Sequence, residues 1–155
     1  MSVSDRQAIE APDATDFREL SDRAQLHDLL ARQGRWLDER RFDEAADIFT
    51  PDAVARTQGG ESHGLAALVA QARRTHERFA CTQHFTTNAL IDLDGDRAVL
   101  RANLLAVFVP QSADATPVPV GERYRFEAVR TAQGWRFSRV EADLIWRSGD
   151  LPQAA

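Results

Sequence analysis

The residues whose types could carry chemistry are His84 and Asp38. An imidazole with an ordinary pKa of about 6.5 both takes and gives a proton near neutral pH. Dehydration, or isomerisation next to a carbonyl, needs that exchange. A neighbouring carboxylate would orient the ring and stabilise its charged form. Asp38 lies at the end of a helical pattern, where the helix dipole disfavours a negative charge. It reads as an exposed acid or as the partner of His84. Tyr124, the only Tyr in the chain, would donate a hydrogen bond to a carbonyl or enolate oxygen, or pack with its hydroxyl at the surface. Glu122 shares its strand face and reads as a second acid or base, or as a solvated charge at a rim. Gln33, about one and a half turns before Asp38, is a candidate polar pocket wall. Trp36 and Trp146 read as core residues or as ligand-stacking aromatics.

Composition removes competing chemistries. All 19 cationic side chains are Arg, so a lysine Schiff base and a lysine-dependent phosphate loop are both excluded. The net charge of −5 argues against nucleic-acid binding. The single Cys81 forms no internal disulfide and no thiolate cluster. It lies three residues from His84 on a strand, so the two face opposite sides. His27, His63 and His76 lie apart, with no His-x-x-x-His pair for zinc. Gly59-Gly60 and Gly64 lack the context of a dinucleotide fingerprint. No metal or cofactor is implied. The longest apolar runs fall far short of the roughly 20 residues of a membrane span. With no leader-like N-terminus, the chain reads as cytoplasmic.

The 155 residues make one domain. Residues 1–20 read as a mobile arm, 21–148 as the domain and 149–155 as a tail. Asp22 to Gln25 has capping-box spacing and opens a helix with Leu26, Leu29, Leu30, Gln33, Trp36 and Leu37 on one side, running to about Glu39. A short helix carries Phe42, Ala45, Ala46 and Phe49. Ala53 to Thr57 reads as a strand and Gln58 to Gly64 as a loop. A helix over Leu65 to Phe79 turns Leu68 and Ala72 inward and Arg73, Arg74 and Arg78 to solvent. Four strands follow: Thr82–Leu93, Arg97–Val109, Val120–Arg130 and Trp135–Trp146. Tight turns at Asp94-Gly95-Asp96 and Thr131 to Gly134 join them in pairs. Helices before a long antiparallel sheet give an α+β fold. Strict alternation on His84's strand puts Phe85, Ile91 and Leu93 on the apolar face and His84 on the other. On the next strand Ala98, Leu100, Ala102, Leu104, Ala106 and Phe108 form an unbroken inward face, whose small members leave room for a pocket.

Several spaced segments together resemble a known family. These are Leu37-Asp38, Asp47 to Val54, Thr82-Gln83-His84-Phe85, Leu93 to Ala98, and Trp135-Arg136-Phe137 with Asp143 to Trp146. Over about residues 20–148 the chain resembles the SnoaL-like branch of the nuclear transport factor 2-like superfamily, the scytalone dehydratases in particular. The resemblance implies helices packed in a strongly curved antiparallel sheet, a cone with an internal pocket. It implies catalytic roles for Asp38 and His84, with His84 facing the cone. It sets Phe108 where those enzymes keep a second catalytic His, and Tyr124 where they keep a pocket Asn. Gln33, Phe108, Glu122 and Trp146 become substrate-binding positions. The implied activity is a cofactor-free acid/base lyase or isomerase, a dehydratase or cyclase, acting on a small hydrophobic, aromatic or polyketide-like molecule. A homo-oligomer, dimer or trimer, would cover the outer sheet face. A non-catalytic binding or assembly domain is the alternative.

Overall fold

The computed structural model describes residues 13–149. Helix α1 (Ala14–Asp38) is followed by a 3-10 turn (Phe42–Asp47), β1 (Phe49–Thr57), β2 (Gly60–His63) and α2 (Leu65–His76). Four long strands complete the chain: β3 (Phe79–Asp94), β4 (Arg97–Pro110), β5 (Val118–Thr131) and β6 (Gly134–Arg147). The sheet runs in the order β2-β1-β6-β5-β4-β3. Its long strands form an antiparallel meander, as anticipated, but β1 joins β6 in parallel. None of the described helices is long and apolar enough to cross a membrane.

Helix α1 begins nine residues earlier than a capping box at Asp22 implies. The box belongs instead to Asp13 and Asp16, whose side chains exchange hydrogen bonds with each other's backbone. Of the expected arm, residues 14–20 are helical, and residues 1–12 lie outside the described part. Leu26, Leu29, Leu30, Gln33, Trp36 and Leu37 form the buried stripe of α1. Pairs Glu19–Arg23, Asp28–Arg32 and Arg35–Glu39 support its outer face at one-turn spacing.

Helix α2 ends at His76, so Phe79 starts a strand rather than closing a helix. The anticipated loop over 58–64 contains β2, paired with β1. Across the meander, alternate residues fill the cone. Ala98, Leu100, Ala102, Leu104, Ala106 and Phe108 are all buried. Phe126 stacks on Phe137 with ring centroids 4.5 Å apart.

Three bulges decide what faces the cone. In β3 the register with β4 shifts between Thr87 and Leu90. Asn88 sits there at φ 55°, a left-handed conformation that Asn tolerates better than most residues. His84 and Thr86 therefore face inward before the bulge, and Ala89, Ile91 and Leu93 face inward after it. Strict alternation had put His84 opposite Ile91 and Leu93, and the extra residue removes that conflict. In β6 a shift at Glu127/Ala128 keeps both Phe137 and Val140 inside. A shift at Gly121/Glu122 then turns the end of β6: Leu144 pairs with inward Glu122, and Trp146 pairs with Gly121.

Candidate active site

The end of α1 is tied to the start of β3. Arg40, just past the helix at φ 54°, donates from Nη2 to the carbonyls of Phe79 at 2.6 Å and Ala80 at 3.2 Å. This clamp brings Asp38 against the free edge of β3. Its Oδ2 accepts the His84 backbone N–H at 2.8 Å, and its Oδ1 accepts the Thr82 hydroxyl at 3.0 Å. His84 Nδ1 lies 2.6 Å from Asp38 Oδ1. The charged partner makes this the nitrogen that carries the proton, which leaves Nε2 as the working nitrogen. Burial pushes the Asp38 carboxyl upward, but the hydrogen bonds and charge of His84 outweigh it and hold the pKa below the ordinary value.

His84 lines a cavity of about 450 Å³. Gln33, Phe108, Glu122 and Tyr124 line it too. Asp38 stands behind the imidazole. Trp36, Phe49, Leu68 and Val140 supply apolar wall. Burial raises the Tyr124 hydroxyl far above its ordinary pKa, and the Glu122 charge adds to that. The phenol is thus a donor that keeps its proton. Burial also raises Glu122, with a further push from Asp143 and an opposing pull from His84. Glu122 is therefore easier to keep protonated than a surface carboxyl.

Trp146 does not reach this cavity. The bulge at Gly121/Glu122 puts its side chain on the outer sheet face, 49% exposed, with the ring lying over Gly121. Leu144 and Arg147 line the cavity in its place. Arg74 and Arg78 also line the cavity, against the reading of α2's arginines as a solvated face. Only Arg73 turns away, to pair with Glu77 at 2.8 Å.

The sequence reading missed His76. It extends the buried stripe Leu68–Ala72 by one more step of four, and that spacing was the available signal. Its ring lies 5.3 Å from the His84 ring and 6.0 Å from Phe108, centroid to centroid. A second imidazole thus reaches the site from α2, while Phe108 occupies the strand position implied for one. His76 Nδ1 lies 2.8 Å from the Ala72 carbonyl, to which it donates. Nε2 is left as a buried acceptor without a partner among the described residues. Those residues hold no group of three or more His, Cys, Asp or Glu poised for a metal ion.

Burial, then the charge of His84, lowers the His76 pKa from 6.5 to about 4. The unfolded chain therefore takes up this proton before the folded one does. The His76 contribution is complete above pH 6.5 and is lost as the pH falls from 6.5 toward 4. The loss should reach about 3 kcal/mol. Glu122, with its raised pKa, acts in the opposite sense and loses stability as the pH rises. The readout is therefore a difference: urea unfolding of wild type and His76→Leu at about pH 7 and about pH 4.5. The variant should lack this share of acid destabilisation, and equal pH slopes in the two proteins would refute the assignment.

Residues 18–141 match the SnoaL-like domain family. The uncharacterized protein Rv2910c of Mycobacterium tuberculosis is 30% identical over 123 residues, 78% of this chain and 84% of that protein. Two solved structures share the fold at lower identity. One is a Novosphingobium aromaticivorans protein with a provisional scytalone dehydratase assignment. Its identity is 21%, its TM-score 0.79, and the match covers 91% of this chain and 95% of that one. The other is the hexachlorocyclohexane dehydrochlorinase LinA-type3 of Novosphingobium barchaimii. Its identity is 20%, its TM-score 0.76, and the match covers 86% of this chain and 92% of that one. With the family match spanning most of the chain, the protein belongs to the SnoaL-like domain family of the nuclear transport factor 2-like fold.

Proposed function

We propose that this protein is a cofactor-free acid/base lyase or isomerase, a dehydratase or cyclase, working on a small hydrophobic molecule in the cytoplasm. The observation that carries the reading is the Asp38–His84 pair at 2.6 Å, with the imidazole in an apolar cavity. His84 Nε2 takes a proton from a carbon next to a carbonyl. Asp38 stabilises the imidazolium, and the electron pair moves onto the carbonyl oxygen, where Tyr124 donates a hydrogen bond. In a dehydration the electrons return to form the carbon–carbon double bond. The leaving hydroxyl accepts a proton from Glu122 or from the imidazolium and departs as water. In an isomerisation the proton returns at another carbon. Phe49, Phe108 and Trp36 suit an aromatic or polyketide-like body. The names of the two structural neighbours both denote eliminations.

A substrate-independent test uses 2-tetralone, a bicyclic ketone with an acidic C–H beside its carbonyl. The protein should accelerate deuterium uptake at that carbon in D2O, followed by NMR. Exchange at the buffer rate would replace this reading with the non-catalytic binding one.

The proposal includes a homo-oligomer, dimer or trimer, built on the outer sheet face. Phe85, Leu105, Gly121 and Trp146 are successive cross-strand partners over four strands. Phe85, Leu105 and Trp146 are 43%, 41% and 49% exposed. Ile91 and Leu93, assigned to this face from the sequence, lie inside, so the covered row is centred nearer His84. A contiguous apolar patch of this kind is unusual on a monomer. Light scattering should give a mass of two or three chains, and Leu105→Glu should shift it toward one. A wild-type species at the 17.3 kDa of one chain would refute the interface.

A further inference from the structure

We infer that the ligand of this cavity is an apolar molecule bearing a carboxylate, and that Arg74 and Arg78 hold the carboxylate at the rim. The inference deepens the acid/base reading and rests on it only for placing the reacting carbon at His84. Both arginines line the cavity. Arg74 is exposed and Arg78 half-buried, which sets them at its opening, while Gln33, Tyr124 and Phe108 are buried at its floor. They are four residues apart across the end of α2, with buried His76 between them. Neither forms an ion pair among the described residues, whereas adjacent Arg73 is paired with Glu77. Arg78 Nε is buried without a hydrogen-bond partner among those residues, and its guanidinium carbon lies 5.1 Å from the Phe79 ring centroid. Among the described residues, Glu122 is the sole acid in the lining. Two guanidinium groups without an acidic partner among the described residues, in the lining of a largely apolar cavity, suit a planar oxyanion. The guanidinium fork matches a carboxylate, and such charge-assisted hydrogen bonds are about twice as strong as neutral ones. Arg147 adds positive charge to the lining but also engages another part of the chain, so the inference does not depend on it.

Calorimetric titration with 2-naphthoate and its neutral isostere 2-naphthamide tests this. Naphthoate should bind about tenfold more tightly or better, and the advantage should shrink as salt is raised. The double variant Arg74→Gln/Arg78→Gln should bind the two ligands equally while keeping the wild-type affinity for the amide. Should that variant not fold, Arg74→Glu changes an exposed side chain alone and should weaken only naphthoate. Equal binding of the two ligands by wild type, an advantage that survives the substitutions, or no binding of either ligand would overturn the inference. These readouts leave Asp38 and His84 untouched. Failure of tetralone exchange therefore leaves them standing, and equal binding of the two ligands leaves the exchange chemistry standing.

Discussion

Replacing His84 by Ala, or Asp38 by Asn, should slow catalysed tetralone exchange by ~10²–10⁴-fold, the usual scale of acid–base catalysis. His84→Ala removes the nitrogen that takes the proton. Asp38→Asn keeps the shape of the acceptor but removes the charge that stabilises the imidazolium, and its amide no longer enforces a proton on Nδ1. The double variant should lose less than the product of the two single losses, because the residues act as one unit. A structural consequence needs no turnover. Asp38 is held below its ordinary pKa against a burial penalty, chiefly by the hydrogen bond and charge of His84. In His84→Ala the burial penalty should win over much of that deficit. The Asp38 carboxyl carbon, followed by NMR, should then titrate at higher pH than in wild type. An unchanged Asp38 midpoint, together with single variants that exchange tetralone at the wild-type rate, would remove the dyad from the mechanism.

The sequence pattern reached the elements more surely than the faces of their strands. Helix α1 and the four long strands were legible because their apolar residues recur at helical or alternating steps over many residues. The inward face of β4 was read without error, because β4 carries no bulge of its own between Ala98 and Phe108. On β3 and β6 the alternation breaks at residues whose bulges depend on partner strands. Asn88 is a plausible left-handed residue, yet nothing local says that it must be one. The cost of missing it was the conflict over His84 and the misplacement of Ile91 and Leu93. The same cause sent Trp146 to the outer face. His76, Arg74 and Arg78 were missed for another reason. A helix packed across the mouth of a cone has cavity where a surface helix has solvent, and sequence periodicity reports only the core-facing side. The Asp38–His84 meeting was never legible from spacing. It depends on Arg40 reversing the chain and clamping β3, a contact between residues 39 and 40 positions apart.

Replacing Arg130 by Met should destabilise the protein by about 3–5 kcal/mol, the usual result of leaving a buried charge without its partner. The partner is Asp22, which capping-box spacing had placed at a helix end. It lies two turns inside α1, with its side chain 8% exposed. Arg130 donates to both of its oxygens, at 2.8 Å and 2.6 Å, and the Trp135 indole N–H adds a third contact at 3.3 Å. The Arg130 hydrogen bonds hold the Asp22 carboxyl below its ordinary pKa. Arg130 also bonds Asp96 at 2.8 Å and lies over the Trp135 ring, 4.5 Å from its centroid. One side chain thus ties α1 to both hairpin turns of the meander, at Asp96 and beside Thr131. In Arg130→Met the Asp22 carboxylate keeps the indole hydrogen bond and the weaker pull of the Arg18 charge, and must be protonated or rehydrated. Asp22→Asn/Arg130→Met removes the stranded charge and should recover part of the loss. Urea unfolding at neutral pH measures both. A single variant within about 0.5 kcal/mol of wild type, the range of ordinary surface changes, would show that α1 docks on the sheet through its apolar stripe alone.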